Sequence, residues 1–149
     1  MGLIGLLRKV KIRERELKLL FIGLEDSGKT SILNSFLEKP NSLVSPTQGF
    51  TINNVVKSDY KISLWDLSGI ASARSSWHSF FEGSDGIIFV VDGANKERFE
   101  DVKKELTTAL NKDRSNAISW LLLVNKQDLP GCALSPEISE VLRLREFAG

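Results

Sequence analysis

The chain has 149 residues, enough for one domain and too few for two comfortable cores. Its 20 Lys and Arg against 19 Asp and Glu leave a formal charge of +1, so no global field recruits nucleic acid or an acidic substrate. A 42% apolar and 26% charged composition argues against disorder, and the single cysteine, Cys132, excludes an internal disulfide or a cysteine-based metal cluster and fits a reducing compartment.

At the amino terminus Leu3, Leu6, Leu7 and Val10 share one helical face, and Arg8, Lys9, Lys11, Arg13, Arg15 and Lys18 outnumber Glu14 and Glu16. The charges follow the short apolar stretch, the reverse of a secretory signal. The stripe over Leu3–Val10 fits a helix docked on the protein's own surface, or one that leaves to make transient contact with a membrane or a partner. Gly2 permits myristoylation, but Leu6 stands where Ser or Thr is usual, so no lipid is expected. Residues 1–15 are expected to form this helix and its linker, and residues 16–149 the main domain.

Farther on, apolar runs alternate with amphipathic stretches, the pattern of a parallel sheet wrapped by helices. The longest runs, Ile87–Val91 and Trp120–Val124, fall far short of the about 20 residues that span a bilayer. Leu17–Gly23 reads as a strand buried on both faces, and Lys29–Glu38 as a helix with Ile32, Leu33, Phe36 and Leu37 at helical spacing. Pro40–Phe50 reads as a loop. Thr51–Lys57 and Lys61–Leu67 read as a hairpin turning at Ser58-Asp59, and Ser68–Ser76 as a mobile stretch of small polar residues. Two buried strands, Gly86–Asp92 and Ile118–Asn125, flank a helix near Lys96–Leu110. Ser135-Pro136-Glu137 reads as the start of a last helix, with Ser135 as its capping hydroxyl.

Gly23-Leu24-Glu25-Asp26-Ser27-Gly28-Lys29-Thr30 fits G-x-x-x-x-G-K-[ST] between a predicted strand and a predicted helix, the context a phosphate-binding loop requires. Gly23 and Gly28 let successive N–H groups aim at phosphate oxygens, Lys29 reaches the outer phosphates, and the Thr30 hydroxyl suits Mg²⁺. Asn125-Lys126-Gln127-Asp128 follows a predicted strand. A carboxylate there can accept from the N1–H and exocyclic amine of guanine, a donor pair adenine lacks, which disfavours an ATP-using enzyme.

These two motifs, with Pro46-Thr47-Gln48-Gly49-Phe50, Trp65-Asp66-Leu67-Ser68-Gly69 and Asn125-Lys126-Gln127-Asp128-Leu129-Pro130, resemble the small GTPases of the Arf and Arf-like family. Met1-Gly2-Leu3 and Glu14-Arg15-Glu16-Leu17, with Pro46–Phe50, resemble most the Arf-like subgroup linked to ciliary trafficking and tubulin folding. The resemblance implies a phosphate-loop α/β fold of three layers, a mostly parallel sheet flanked by helices. It implies GTP or GDP as ligand and Mg²⁺ as cofactor. The nucleotide contacts would be Gly23, Glu25, Asp26, Ser27, Gly28, Lys29, Thr30, Ser31, Thr47, Gly69, Asn125, Lys126 and Asp128. Thr30, Thr47 and Asp66 would hold the metal, Asp66 through water, and the Gly69 N–H would touch the γ-phosphate. Effectors, an exchange factor and a GTPase-activating protein are the implied partners. A cytoplasmic protein, peripheral at membranes, the cilium or microtubule structures, is the implied setting.

Three departures from that family stand out. Ile70 replaces the glutamine that orients attacking water, so no catalytic residue is intact and hydrolysis should be slow. Glu25 and Asp26 put two carboxylates in the phosphate loop, expected to be solvated and harmless. The family also continues past Leu144 with a further strand and helix, so this chain is expected to lack the last strand and helix, to expose Ile118–Val124 as a sheet edge, and to be less stable with weaker guanine affinity. A guanine-nucleotide switch is the leading reading, and a non-cycling pseudo-GTPase acting as a protein-binding module the alternative. His78 is expected at the surface or in packing, and Trp65, Trp77 and Trp120 in the core or on an effector surface rather than against nucleic acid.

Overall fold

The computed structural model describes residues 2–3, 15–39, 47, 49–113 and 118–147; the amphipathic stripe beyond Leu3 and most of the Pro40–Phe50 loop lie outside them. The strands are β1 (Glu16–Ile22), β2 (Phe50–Lys57), β3 (Tyr60–Leu67), β4 (Gly86–Asp92) and β5 (Ser119–Asn125). The helices are α1 (Lys29–Phe36), α2 (Ala71–Arg74), α3 (Phe99–Lys112) and α4 (Ser135–Val141), with single 3₁₀ turns at Trp77–Phe80, Lys96–Arg98 and Leu144–Glu146. One five-stranded sheet runs in the order β2-β3-β1-β4-β5. β1 pairs parallel with β3 and β4, β4 pairs parallel with β5, and β2 pairs antiparallel with β3.

The alternation of side chains along each strand divides the core in two. Leu20, Ile22, Ile87, Phe89 and Val91 face one side, where Phe99, Val102, Leu106 and Ala109 of α3 and Ile138 of α4 cover them. Phe21, Leu64 and Val90 face the other, where Leu33 of α1 meets them. The Val102, Leu106 and Ala109 spacing is one stripe of an α-helix, and each larger side chain buried there stabilises the domain by about 1.5–3 kcal/mol. Among the described residues β5 is the sheet margin and Leu121 stands 52% exposed, matching the expected edge.

Three sequence expectations need correction. The helix near Lys96 starts as a 3₁₀ turn and becomes α-helical only at Phe99. Ser135 is the first residue of α4 rather than its cap; Leu134 occupies the cap position without a side-chain hydrogen bond. The Ser68–Ser76 stretch is not loose in its attachments: Ser68 and Gly69 are buried, and α2 follows. The hairpin is as expected, with Ser58 and Asp59 at φ 50 and φ 65, the paired left-handed residues of a tight two-residue turn. No helix among the described residues is long and apolar enough to cross a membrane.

Candidate functional site

The chain passes from β1 to β2 and β3 on one side of β1 and then crosses from β3 to β4 on the other, so a crevice opens beyond the carboxyl end of β1, where open α/β sheets bind ligands. The glycine-rich loop 23–30 occupies that crevice. Asp26 has φ 62 and Gly28 φ 94, and a Cβ at residue 28 would run into the Asn125 side-chain amide. α1 starts at Lys29 with no side-chain cap, which leaves backbone N–H groups at its start for an anion. Lys29 is only 6% exposed. Its Nζ donates to the Gly23 carbonyl at 2.9 Å, the Leu24 carbonyl at 2.8 Å and Ser27 Oγ at 3.4 Å. Burial pushes this amine down from 10.5 to about 8, against the opposing pull of Asp66 and Glu25.

Asp66 lies at the end of β3, beside Phe21 of β1, and is fully buried. Its Oδ2 accepts from Thr30 Oγ1 at 2.6 Å and from Thr47 Oγ1 at 3.1 Å, and the two hydroxyl oxygens are 3.0 Å apart. Its Oδ1 has no hydrogen-bond partner among the described residues. One carboxylate with a bare buried oxygen and two hydroxyls form a small, hard oxygen set, which fits Mg²⁺ and does not fit zinc or another soft cation. The expected trio of Thr30, Thr47 and Asp66 is thus brought together.

The Asn125–Asp128 segment reaches the same crevice. Asn125 ends β5 in register with Asp92 of β4, and its Nδ2 donates to the Ser27 carbonyl at 2.9 Å. Lys126 adopts φ 63, and its Nζ pairs with Asp92 Oδ2 at 2.7 Å. Asp128 is exposed in the following turn, which the Leu129 N–H closes on the Lys126 carbonyl at 3.0 Å. Gln127 Nε2 donates to the Ala133 carbonyl at 3.0 Å, which pins the loop from outside. Asp92 was missed by motif reading; its place at the carboxyl end of a central parallel strand was the available signal.

A cleft of about 310 Å³ is lined by Glu25, Asp26, Gly28, Lys29, Thr30, Ser31, Thr47, Gly69, Ile70 and Lys126, nearly all from the expected set. Gly23 and Ser27 are buried in the loop beneath it. Gly69 rests directly on the phosphate loop: a Cβ there would overlap the Gly23 carbonyl and Leu24. Ile70 is 38% exposed at the cleft wall and offers no polar atom.

The expectation that both loop carboxylates are solvated needs correction for Glu25. Asp26 is exposed, but Glu25 takes Arg74 Nη2 on Oε2 at 2.9 Å and Arg98 Nη1 on Oε1 at 3.1 Å. Partial burial works to raise the Glu25 carboxyl, and the Arg74 hydrogen bond and the charges of both arginines outweigh it, so its pKa falls below 4.5. Neither arginine belongs to a motif. They lie 49 and 73 residues from Glu25, beyond the reach of any local pattern.

A strand–glycine loop–helix unit with its lysine folded beneath the loop defines a phosphate-loop nucleotide-binding fold. The model of the ADP-ribosylation factor family matches residues 3–148. The chain is 41% identical over 147 residues to ADP-ribosylation factor-like protein 2 of Drosophila melanogaster and 40% identical to that of Arabidopsis thaliana, in each case over 99% of this chain and 80% of the relative. The Arl6 (BBS3) small GTPase from Trypanosoma brucei, solved with the nucleotide analogue GppNp, superposes with a TM-score of 0.79 at 27% identity, over 90% of this chain and 81% of that one. The mammalian SRP receptor superposes with a TM-score of 0.78 at 27% identity, over 87% and 76%. The chain belongs to the ADP-ribosylation factor family, as an Arf-like small GTPase.

Proposed function

We propose that this chain is a guanine-nucleotide switch that binds GTP and GDP with Mg²⁺, engages effectors in its GTP form and hydrolyses GTP weakly. The observation that carries the reading is the single cleft in which Lys29, Thr30, Thr47, Gly69 and Lys126 converge. The phosphate-loop N–H groups and Lys29 take the β- and γ-phosphates, and the start of α1 adds positive potential. Thr30, Thr47 and Asp66 hold Mg²⁺, which when bound neutralises phosphate charge. Asp128 accepts from the guanine N1–H and amine, and the Lys126 stem, anchored at its end by Asp92, lies against the base. The Gly69 N–H contacts the γ-phosphate and so reports the triphosphate to the switch.

Phe50, Trp65 and Phe80 form a continuous aromatic surface, with ring centroids 5.3–5.9 Å apart and Phe50 47% exposed. It lies beside the switch, and we assign effectors to it. An exchange factor and a GTPase-activating protein complete the cycle. Identity to factor-like protein 2 supports the Arf-like assignment; we place the chain in the subgroup linked to ciliary trafficking and tubulin folding, in the cytoplasm, with transient membrane contact through the Leu3–Val10 stripe. Ile70 at the cleft wall favours a second reading, a pseudo-GTPase that binds partners without cycling.

Binding of fluorescent GDP and GTP analogues, with Mg²⁺ and then with EDTA, followed by single-turnover hydrolysis, tests both. Mg²⁺-dependent guanine binding that ATP does not compete, with near-zero turnover, is expected. No binding at tens of micromolar nucleotide would overturn the switch and leave the protein-binding module.

A further inference from the structure

Gly69 is gripped through both peptide planes that flank it. The Gly69 carbonyl accepts from the Glu25 N–H at 3.1 Å and from Arg74 Nε at 2.9 Å, so both of its lone pairs are engaged. Arg74 closes the ring by donating through Nη2 to the Glu25 carboxylate, and its Nη1 lies 3.6 Å from Glu105 of α3. Its side chain is 9% exposed, so this is a built contact rather than a surface pair. Arg98 steadies Glu25 from the opposite side.

The preceding plane is held separately. Trp77 is 3% exposed and stands edge-on to Phe89, and its Nε1 donates to the Ser68 carbonyl at 2.9 Å. In a planar trans peptide the carbonyl and the N–H point in opposite directions. Fixing the Ser68 oxygen therefore fixes the direction of the Gly69 N–H. Glycine is the residue most able to rotate at such a point, and here neither adjoining plane is free to do so.

We propose that Arg74 and Trp77 are positioning residues for the γ-phosphate contact. Through Glu25 and Ser68 they hold the Gly69 N–H in a fixed orientation at the cleft, and thereby set how strongly the chain prefers a triphosphate over a diphosphate. Neither side chain lines the cleft. The inference rests on the nucleotide reading above, and in particular on Gly69 as the γ-phosphate donor.

The test compares GDP with a non-hydrolysable GTP analogue in the full chain and in Arg74→Met, which keeps the apolar stem and removes the guanidinium. The Kd of the triphosphate analogue should rise about tenfold, the worth of one charge-assisted hydrogen bond, with that of GDP changed by less than about threefold. Arg74→Lys has one nitrogen for two acceptors and should fall between. Trp77→Phe should shift the same ratio. If Arg74→Met does not fold, Arg74→Lys is read on the same ratio. A merely structural arginine would weaken both nucleotides equally, and equal weakening, or no change in either, overturns the proposal. An unmodified chain that binds neither nucleotide overturns the switch and this inference together; one that binds both, with the ratio unmoved in the variants, overturns this inference alone.

Discussion

Asn125 and Ser27 stand 98 residues apart in sequence, yet the Asn125 side-chain amide donates to the Ser27 carbonyl at 2.9 Å. The contact joins the end of β5 to the middle of the phosphate loop, so the segment assigned to the base is tied directly to the loop assigned to the phosphates. It also accounts for Gly28, because any side chain at 28 would occupy the place of that amide. Asn125→Ala removes the tie and leaves a carbonyl short of a donor, a stability cost of about 1 kcal/mol. Affinity for GDP and GTP analogues should fall together, about tenfold or more, because the fault lies in the scaffold beneath both. Equilibrium binding of the two nucleotides, with a thermal melt of each protein, checks it.

Lys29 gives a pH dependence with a definite sign. Its amine titrates at about 8 in the folded chain against 10.5 when unperturbed, because burial disfavours its charge. Between those values the unfolded chain holds more protons, so the stability of the nucleotide-free protein should rise with pH across that window. Below pH 8 the full cost of the buried charge is present, on the order of 3 kcal/mol. Bound phosphates reverse the preference and raise the pKa, so nucleotide binding takes up protons and weakens as pH rises past about 8. Titration calorimetry of GDP at pH 8 in two buffers of different ionisation enthalpy should show uptake of about half a proton. Lys29→Met should fail to bind nucleotide and lose this proton uptake.

Local patterns carried much of this architecture. The hairpin at Ser58-Asp59, the strand before Gly23 and the helix after Gly28 are each set by neighbours in sequence, and they appear where the residues place them. The convergence of Thr30, Thr47 and Asp66 was legible only through family resemblance, since no spacing links Asp66 to a loop 36 residues earlier. Arg74 and Arg98 were not legible at all, and Asp92 was marked only by its place at the end of a predicted strand. Each is an ordinary charged residue until the parallel pairing of β1 with β3 and β4, and of β4 with β5, brings the segments at the strand ends to one crevice. The small polar residues of Ser68–Ser76 suggested looseness because their restraints come from outside the segment, from the Glu25 N–H and the Gly49 carbonyl.

Metal removal should separate the two halves of the site. The bare Oδ1 of Asp66, with two hydroxyls on Oδ2, is a buried charge that a divalent cation would satisfy. EDTA should speed GDP dissociation from the unmodified chain by about tenfold or more. In Asp66→Ala the nucleotide should leave quickly with or without EDTA, while the circular dichroism spectrum is retained. A dissociation rate indifferent to EDTA in the unmodified chain would remove Mg²⁺ from the reading.

Ile70 sits at the start of α2, at φ −63 and ψ 148, and is 38% exposed at the cleft wall. An exposed site in extended backbone accepts a long polar side chain without repacking the core, so Ile70→Gln should change the melting temperature little. The new amide can donate and accept, which is what holding a water in line with the γ-phosphate requires. Single-turnover hydrolysis should therefore rise about tenfold or more over the unmodified chain, while the Kd for GDP stays the same. Ile70→Leu, similar in size and equally unable to hold water, should leave the rate where it was. A rate that Ile70→Gln does not lift would place the defect elsewhere in the cleft, and Ile70 would then be a wall residue whose chemistry does not limit turnover.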